Sequence, residues 1–196
     1  MEARIKPTRL ETEKLLIALL LFVWYVSMPQ VGYPYLGHET GSIQHILICH
    51  AEAMVSHANI WHLLSNLFIL LLVRKLYIIP SLVIAYIASF IPTVGTLWDI
   101  MGWLTSQEPS MTMGFSGVLF AMLGIMWGNH VRVWYNTSHF YGIDAMEAFL
   151  TKMLPWAIIG FIIPHVNWEI HLYSLAGGFF YGFIKDSLWW MQKPRT

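Results

Sequence analysis

Gly114-Phe115-Ser116-Gly117 stands at the head of an apolar run, Val118–Trp127. One hydroxyl between two glycines thus opens a segment that otherwise reads as membrane-spanning helix. Two further apolar segments carry complementary groups. One holds His57, His62 and Asn66; the other holds His171, followed by Ser174, Gly178 and Gly182. Imidazole can take a serine proton near neutral pH. Additional donors can receive the oxyanion of a tetrahedral intermediate. Those are the parts of an acyl-transfer site.

Composition sets the surroundings. Of 196 residues, 57% are hydrophobic and only 11% charged, against about 25% charged in soluble domains. The mean hydropathy is +0.56. Such a chain is better counted in spans of about 20 residues, and six spans with short loops use nearly all of it. Formal net charge is zero, so no basic field points to nucleic acid. A lone Cys49 excludes an intramolecular disulfide and a cysteine metal cage. The N-terminus lacks a small-residue cleavage site after its apolar run and reads as a retained helix rather than a signal peptide.

In chain order, the first helix is expected over Leu15–Met28, beginning near Leu10. Val31–Val55 holds glycines and a proline, with a short interfacial helix over Ile43–Met54. The remaining spans are expected at His57–Val73, Leu76–Ile91, Met113–Trp127, Ala148–Ile163 and Ile170–Phe183. Thr93–Thr112 and Trp134–Asp144 read as polar loops. The eleven Lys and Arg residues fall in five clusters: around Arg4–Lys14, at Arg74-Lys75, at Arg132 and Lys152, at Lys185, and at Lys193–Arg195. The three long gaps without Lys or Arg, Leu15–Val73, Leu76–Val131 and Met153–Ile184, are each long enough for two spans, so the positive-inside rule puts both termini and the second and fourth loops in the cytoplasm. The expected fold is therefore all-α: a six-helix membrane domain over 15–186, a cytoplasmic segment at 1–14 and a cytoplasmic tail at 187–196. The sequon Asn136-Thr137-Ser138 falls in a cytoplasmic loop and reads as chance.

Polar side chains inside spans face a protein interior or a wet cavity. His62 lies 12 residues before Arg74, Ser116 16 before Arg132, and His171 14 before Lys185. At 1.5 Å per residue these are heights of about 18, 24 and 21 Å, one layer in the outer half of the bilayer. His62 and Asn66, four apart, share a helical face. No Asp or Glu on these segments is available to orient His171, Glu169 being assigned to the outer loop, so a Ser–His dyad is expected rather than a triad. Gly178 and Gly182, extended by Ser174, make a small-residue face on the last helix; Gly117, Ala121, Gly124 and Gly128 make a matching one.

In this order and on these segments, His57-x4-His62-x3-Asn66, Gly114-x-Ser116-Gly117 and His171-x2-Ser174-x3-Gly178 resemble the rhomboid intramembrane serine proteases. The likeness covers the six-helix layout from about Leu15 to Phe183. It implies Ser116 as nucleophile and His171 as general base. His62, Asn66 and the Ser116 N–H would be the oxyanion donors, and His57 and Gly114 supporting site residues. It implies single-pass membrane proteins as substrates, cut in or near an unstable transmembrane helix, and no cofactor. The membrane would be a bacterial or archaeal cytoplasmic one, or that of an organelle. Substrate identity and oligomeric state stay open. This chain departs from many relatives at Ser174 (commonly Gly) and Phe120 (commonly Tyr), and it lacks the Trp-Arg pair of the first outer loop, which is expected to sit differently. The fifth span, with Pro155 and Pro164, is a candidate gate for substrate entry.

Other readings make different demands. Alone, Ser116 reads as a serine bonded to a carbonyl one turn back, and His62 with Asn66 as interhelical hydrogen-bonding partners. With no His-Glu-x-x-His, a zinc hydrolase is not expected. A small transporter would use the intramembrane His and Asn as a path and would have no reactive serine. A non-catalytic rhomboid-like binder would capture membrane helices regardless of Ser116.

Overall fold

The structure, a computed structural model, describes residues 8–34, 41–73, 75–93, 111–137 and 167–185. They form six helices and one short strand pair: α1 (Arg9–Ser27), β1 (Tyr33–Pro34), α2 (Ile43–Ala53), α3 (Ile60–Leu72), α4 (Ile78–Ser89), β2 (Met111–Thr112), α5 (Ser116–Thr137) and α6 (Trp168–Ile184). The expected span Ala148–Ile163, most of the loop before it, 94–110 of the preceding outer loop, and the terminal segments 1–7 and 186–196 lie outside the described residues.

The centre of the fold is the contact between α5 and α6. A Cβ added at Gly124 would run into the Leu175 carbonyl oxygen, and one at Gly128 into that of Phe179. Reciprocally, a Cβ at Gly178 would meet the Ala121 carbonyl, and one at Gly182 that of Ile125. The backbones touch directly, which only glycine permits. Because 121 pairs with 178 and 125 with 182, the two helices run parallel, and their N-terminal ends lie side by side.

Helix α4 joins them through another small face, since Ser81, Ala85, Ala88 and Ser89 are its buried residues. Pro80 sits in its first turn, where the missing N–H would have no intrahelical partner. Helix α3 buries Leu63, Asn66 and Leu70, one stripe at helical spacing. Against it, α1 inserts Leu21 into the core. The buried Lys14 Nζ donates to the Leu71 carbonyl at 2.7 Å, satisfying an end that has no intrahelical donor.

The described residues are mostly helical, in keeping with the expected all-α class, with one two-residue strand pair in addition, Tyr33 with Thr112 and Pro34 with Met111. Several element limits need correction. The second span does not begin at His57. The Asn59 side chain accepts from the His62 N–H at 2.9 Å, so the helix starts at Ile60 and His57 precedes it. The helix placed at Met113–Trp127 runs on to Thr137, through the start of the expected polar loop. Charge at Arg132 ends an apolar stretch, not a helix, and Gly128 is held against α6 rather than breaking the turn. Glu169, assigned to the loop, lies buried in the first turn of α6, because Asn167 caps that helix one residue before Trp168. A carboxylate there faces the positive end of the helix dipole.

Helices α3 and α4 have 13 and 12 residues, about 20 Å of rise, shorter than the expected spans. Among the described residues no helix is long and apolar enough to cross a membrane. The outward surface is nonetheless apolar. Leu15, Leu16, Leu19 and Leu20 of α1 are all exposed, as are Trp61 and Phe68 of α3. Monomeric soluble proteins rarely show contiguous apolar surface on that scale.

Gly178→Ala should lower stability by about 1–3 kcal/mol, the usual cost of overpacking, since backbone on both sides cannot rotate away. Gly177→Ala, whose added carbon would meet only the Ile84 side chain, should cost less. Denaturant midpoints of the detergent-purified proteins would show the order.

Candidate active site

Parallel packing of α5 and α6 puts their first turns together, and Ser116 and His171 occupy those turns. His171 Nε2 lies 2.7 Å from Ser116 Oγ. Both residues are half-buried. The Phe120 ring stacks on the His171 imidazole with centroids 4.5 Å apart and planes 9° from parallel, which fixes the ring plane without using either nitrogen. One turn below His171, Ser174 is fully buried, and a Cβ on Gly117 would stand 3.4 Å from its Oγ. A serine therefore fits where the helices approach closely.

Ser116 is also the first residue of its helix. The first backbone bond there runs from the Leu119 N–H to the Phe115 carbonyl, so the N–H groups of residues 116–118 have no intrahelical acceptor. They add to the positive end of the helix dipole, a setting suited to an anionic oxygen.

His62 and Asn66 approach from α3. Gly114 has φ +125°, and a Cβ there would come within 2.6–2.7 Å of the His62 ring and 3.6 Å of Asn66 Nδ2. The left-handed backbone and the missing side chain let the chain turn into α5 while leaving room for that imidazole. Asn66 is buried, and its Nδ2 has no hydrogen-bond partner among the described residues. His57 meets His62 edge to face, centroids 5.2 Å apart. Its N–H donates to Gln30 Oε1 at 2.8 Å and its Nδ1 lies 3.1 Å from the Val55 carbonyl. A carbonyl can only accept, so Nδ1 carries the hydrogen and the buried Nε2 is an acceptor. Gly178 and Gly182 lie further along α6 and act on the site only through helix approach.

The loop before α3 is tied to the same place. Gly114 N–H donates to the Ala53 carbonyl at 2.8 Å, closing α2 onto the turn that leads to Ser116. Helix α2 itself is held by His50, 1% exposed. Its ring lies between Tyr33 and Phe90, 4.1 Å from each, with Nδ1 2.8 Å from Ser89 Oγ. This second serine–histidine contact is not a poised nucleophile. Ser89 donates its one proton to the Tyr86 carbonyl at 2.6 Å, so it accepts from the imidazole. Sequence reading missed His50, because a histidine anchored by stacking has no spacing signature.

A Rhomboid domain model matches residues 44–187. The chain belongs to the rhomboid family. No curated protein and no solved structure matches it. Rhomboid proteins are membrane proteins and are generally intramembrane serine proteases. The match covers His50, His57, His62, Asn66, Gly114, Ser116 and His171, while Gln30 and Tyr33 lie before it. No group of three or more His, Cys, Asp or Glu residues capable of holding a metal occurs among the described residues.

Gly114→Ala should be destabilised by about 1–3 kcal/mol through backbone strain, and its added methyl should displace the His62 ring. Nitrogen-15 spectra of the histidine side chains would register the displacement; an unchanged His62 signal would contradict the packing.

Proposed function

We propose that this rhomboid is an intramembrane serine endopeptidase that cleaves transmembrane helices of membrane proteins with a Ser116–His171 dyad. The observation that carries the reading is the 2.7 Å contact between His171 Nε2 and Ser116 Oγ. A resting hydroxyl donates to Nε2, which leaves the ring hydrogen on Nδ1. As Ser116 Oγ attacks the scissile carbonyl carbon, its proton passes to Nε2. The negative charge then develops on the former carbonyl oxygen. His171 returns the proton to the leaving amine, and a water deprotonated by the same nitrogen hydrolyses the acyl-enzyme.

Three donors suit the oxyanion: the Ser116 N–H at the start of α5, the unpartnered Asn66 Nδ2, and a ring N–H of His62. Preorganised donors of this kind are worth about 10²–10³ in kcat each. His57, bound through Nδ1 to a carbonyl, is not a donor to that oxygen. Its ring meets that of His62 edge to face, and its role is to hold that ring.

The same reading makes the protein multi-pass, with six spans, both termini in the cytoplasm and the site opening to the outer side. The distribution of Lys and Arg and the exposed leucines of α1 support it. Helices of about 20 Å against a hydrocarbon core of about 30 Å call for local bilayer thinning. The membrane is proposed to be a bacterial or archaeal cytoplasmic membrane or an organelle membrane, with the fifth span as the gate.

Fluorophosphonate should label the wild type at Ser116 and leave Ser116→Ala and His171→Ala unlabelled. Asn66→Ala should still label, and should cut a helix-destabilised model substrate about 10²–10³ times more slowly. Equal labelling of wild type and His171→Ala would remove the dyad. An unlabelled wild type that also failed to cut the substrate would favour a non-catalytic binder.

A further inference from the structure

We infer that Asn167 is a positioning residue that sets the register between the helix bearing Ser116 and the helix bearing His171; this rests on the dyad reading above. The side chain is buried, at 6% exposure, and reaches three parts of the chain. Oδ1 accepts from the Ile170 N–H at 3.2 Å, capping α6. Nδ2 donates to Thr93 Oγ1 at 2.9 Å and to Thr112 Oγ1 at 2.7 Å. Both amide hydrogens are therefore used, each on a hydroxyl that is itself buried.

The placement of these partners gives the bonds a function beyond capping. Thr112 belongs to β2 and stands four residues before Ser116; Asn167 stands four residues before His171. Thr93 follows α4, the third member of the small-residue core. One amide thus joins the entries of both reacting helices to the end of the helix that supports them. The glycine contacts set how closely α5 and α6 approach, and a carbonyl seats only on a glycine; at the N-terminal ends, before the first of these contacts, resistance to small axial shifts has to come from other bonds. The amide clamp supplies that resistance at the end where it matters. A misplacement of about 1 Å in a reacting geometry can cost about 10² in rate.

A residue needed only as a cap would not have to be asparagine. Serine caps as well but is too short to reach either threonine and has one proton to donate. Asn167→Ser therefore separates the two roles. Thr112→Val keeps the shape of threonine and removes one of the clamp bonds from the other side.

The test is the rate constant of fluorophosphonate labelling per folded molecule, with the folded fraction taken from thermal unfolding of each purified protein. Steady-state cleavage of a model transmembrane substrate gives kcat and KM alongside. Asn167→Ser should label at least about tenfold more slowly than wild type, with kcat falling in parallel and KM within about twofold. Thr112→Val should show a smaller loss in the same sense. The double variant should be scarcely slower than Asn167→Ser alone, because both remove the same bond. Wild-type labelling rates in both single variants, or losses no greater than the unfolded fraction, would reduce Asn167 to a cap and overturn the inference while leaving the dyad intact. A wild type that fails to label would overturn the dyad, and the inference with it.

Discussion

Backbone-to-backbone contact between α5 and α6 is the constraint on which the rest depends. Side chains between packed helices usually set their axes 8–10 Å apart, and larger ones at this contact would push Ser116 and His171 off their 2.7 Å contact. Carbonyls of Ala121 and Ile125 seated on Gly178 and Gly182, and those of Leu175 and Phe179 seated on Gly124 and Gly128, remove that separation. In a membrane, apolar surface alone gives helices little reason to associate, since lipid is as apolar as leucine; close van der Waals packing of small faces does. The stripe that makes the pair associate is the same one that makes the site geometrically possible.

Proximity is not yet orientation, and the remaining groups at the mouth of the site supply it. The Ala53–Gly114 bond and the Tyr33–Thr112 pairing tie the first loop to the approach to Ser116. That loop is in turn fixed by His50, stacked between two aromatic rings and bonded to Ser89. This buried imidazole anchors the loop to the end of α4. Gln30 and Ser56 continue the network, holding the turn that carries His57. Buried polar groups that are paired in this way specify one arrangement. Asn66 Nδ2 and His57 Nε2 are among the buried atoms that have no partner among the described residues, and both adjoin His62.

Much of this was legible in the sequence, for physical reasons that differ by element. Small residues at four-residue spacing can be read as a contact face, and counting back from the next basic residue placed Ser116 and His171 at similar heights on their helices. Helix limits were less legible. Hydropathy reports where apolar residues stop, so it ended the Ser116 helix at Trp127, whereas backbone hydrogen bonding carries it to Thr137. It began the second span at His57, although Asn59 sets the start at Ile60. The two-residue strand pair is too short for any periodicity. Asn167 did carry a signal, an asparagine before an apolar helical run, yet its two threonine partners lie 74 and 55 residues away. No local pattern reveals a bond of that range.

Glu169 shows why a dyad, in the proposed reading, has to obtain orientation from packing. It is the acid nearest His171 in sequence and it is buried in the same helix turn. Residues two apart on a helix do not face one another, so burial in the same turn does not by itself pair it with the imidazole. A triad would hold the base with a charge; here the flat face of Phe120 sets the ring plane, and the cap at Asn167 sets where the helix carrying the ring begins. Stacking fixes a plane but not a rotation within it, and a cap fixes a backbone but not a ring. The two constraints are complementary. Together they leave Nε2 directed at Ser116 Oγ without a carboxylate, which in a low-dielectric interior would itself carry a large desolvation cost.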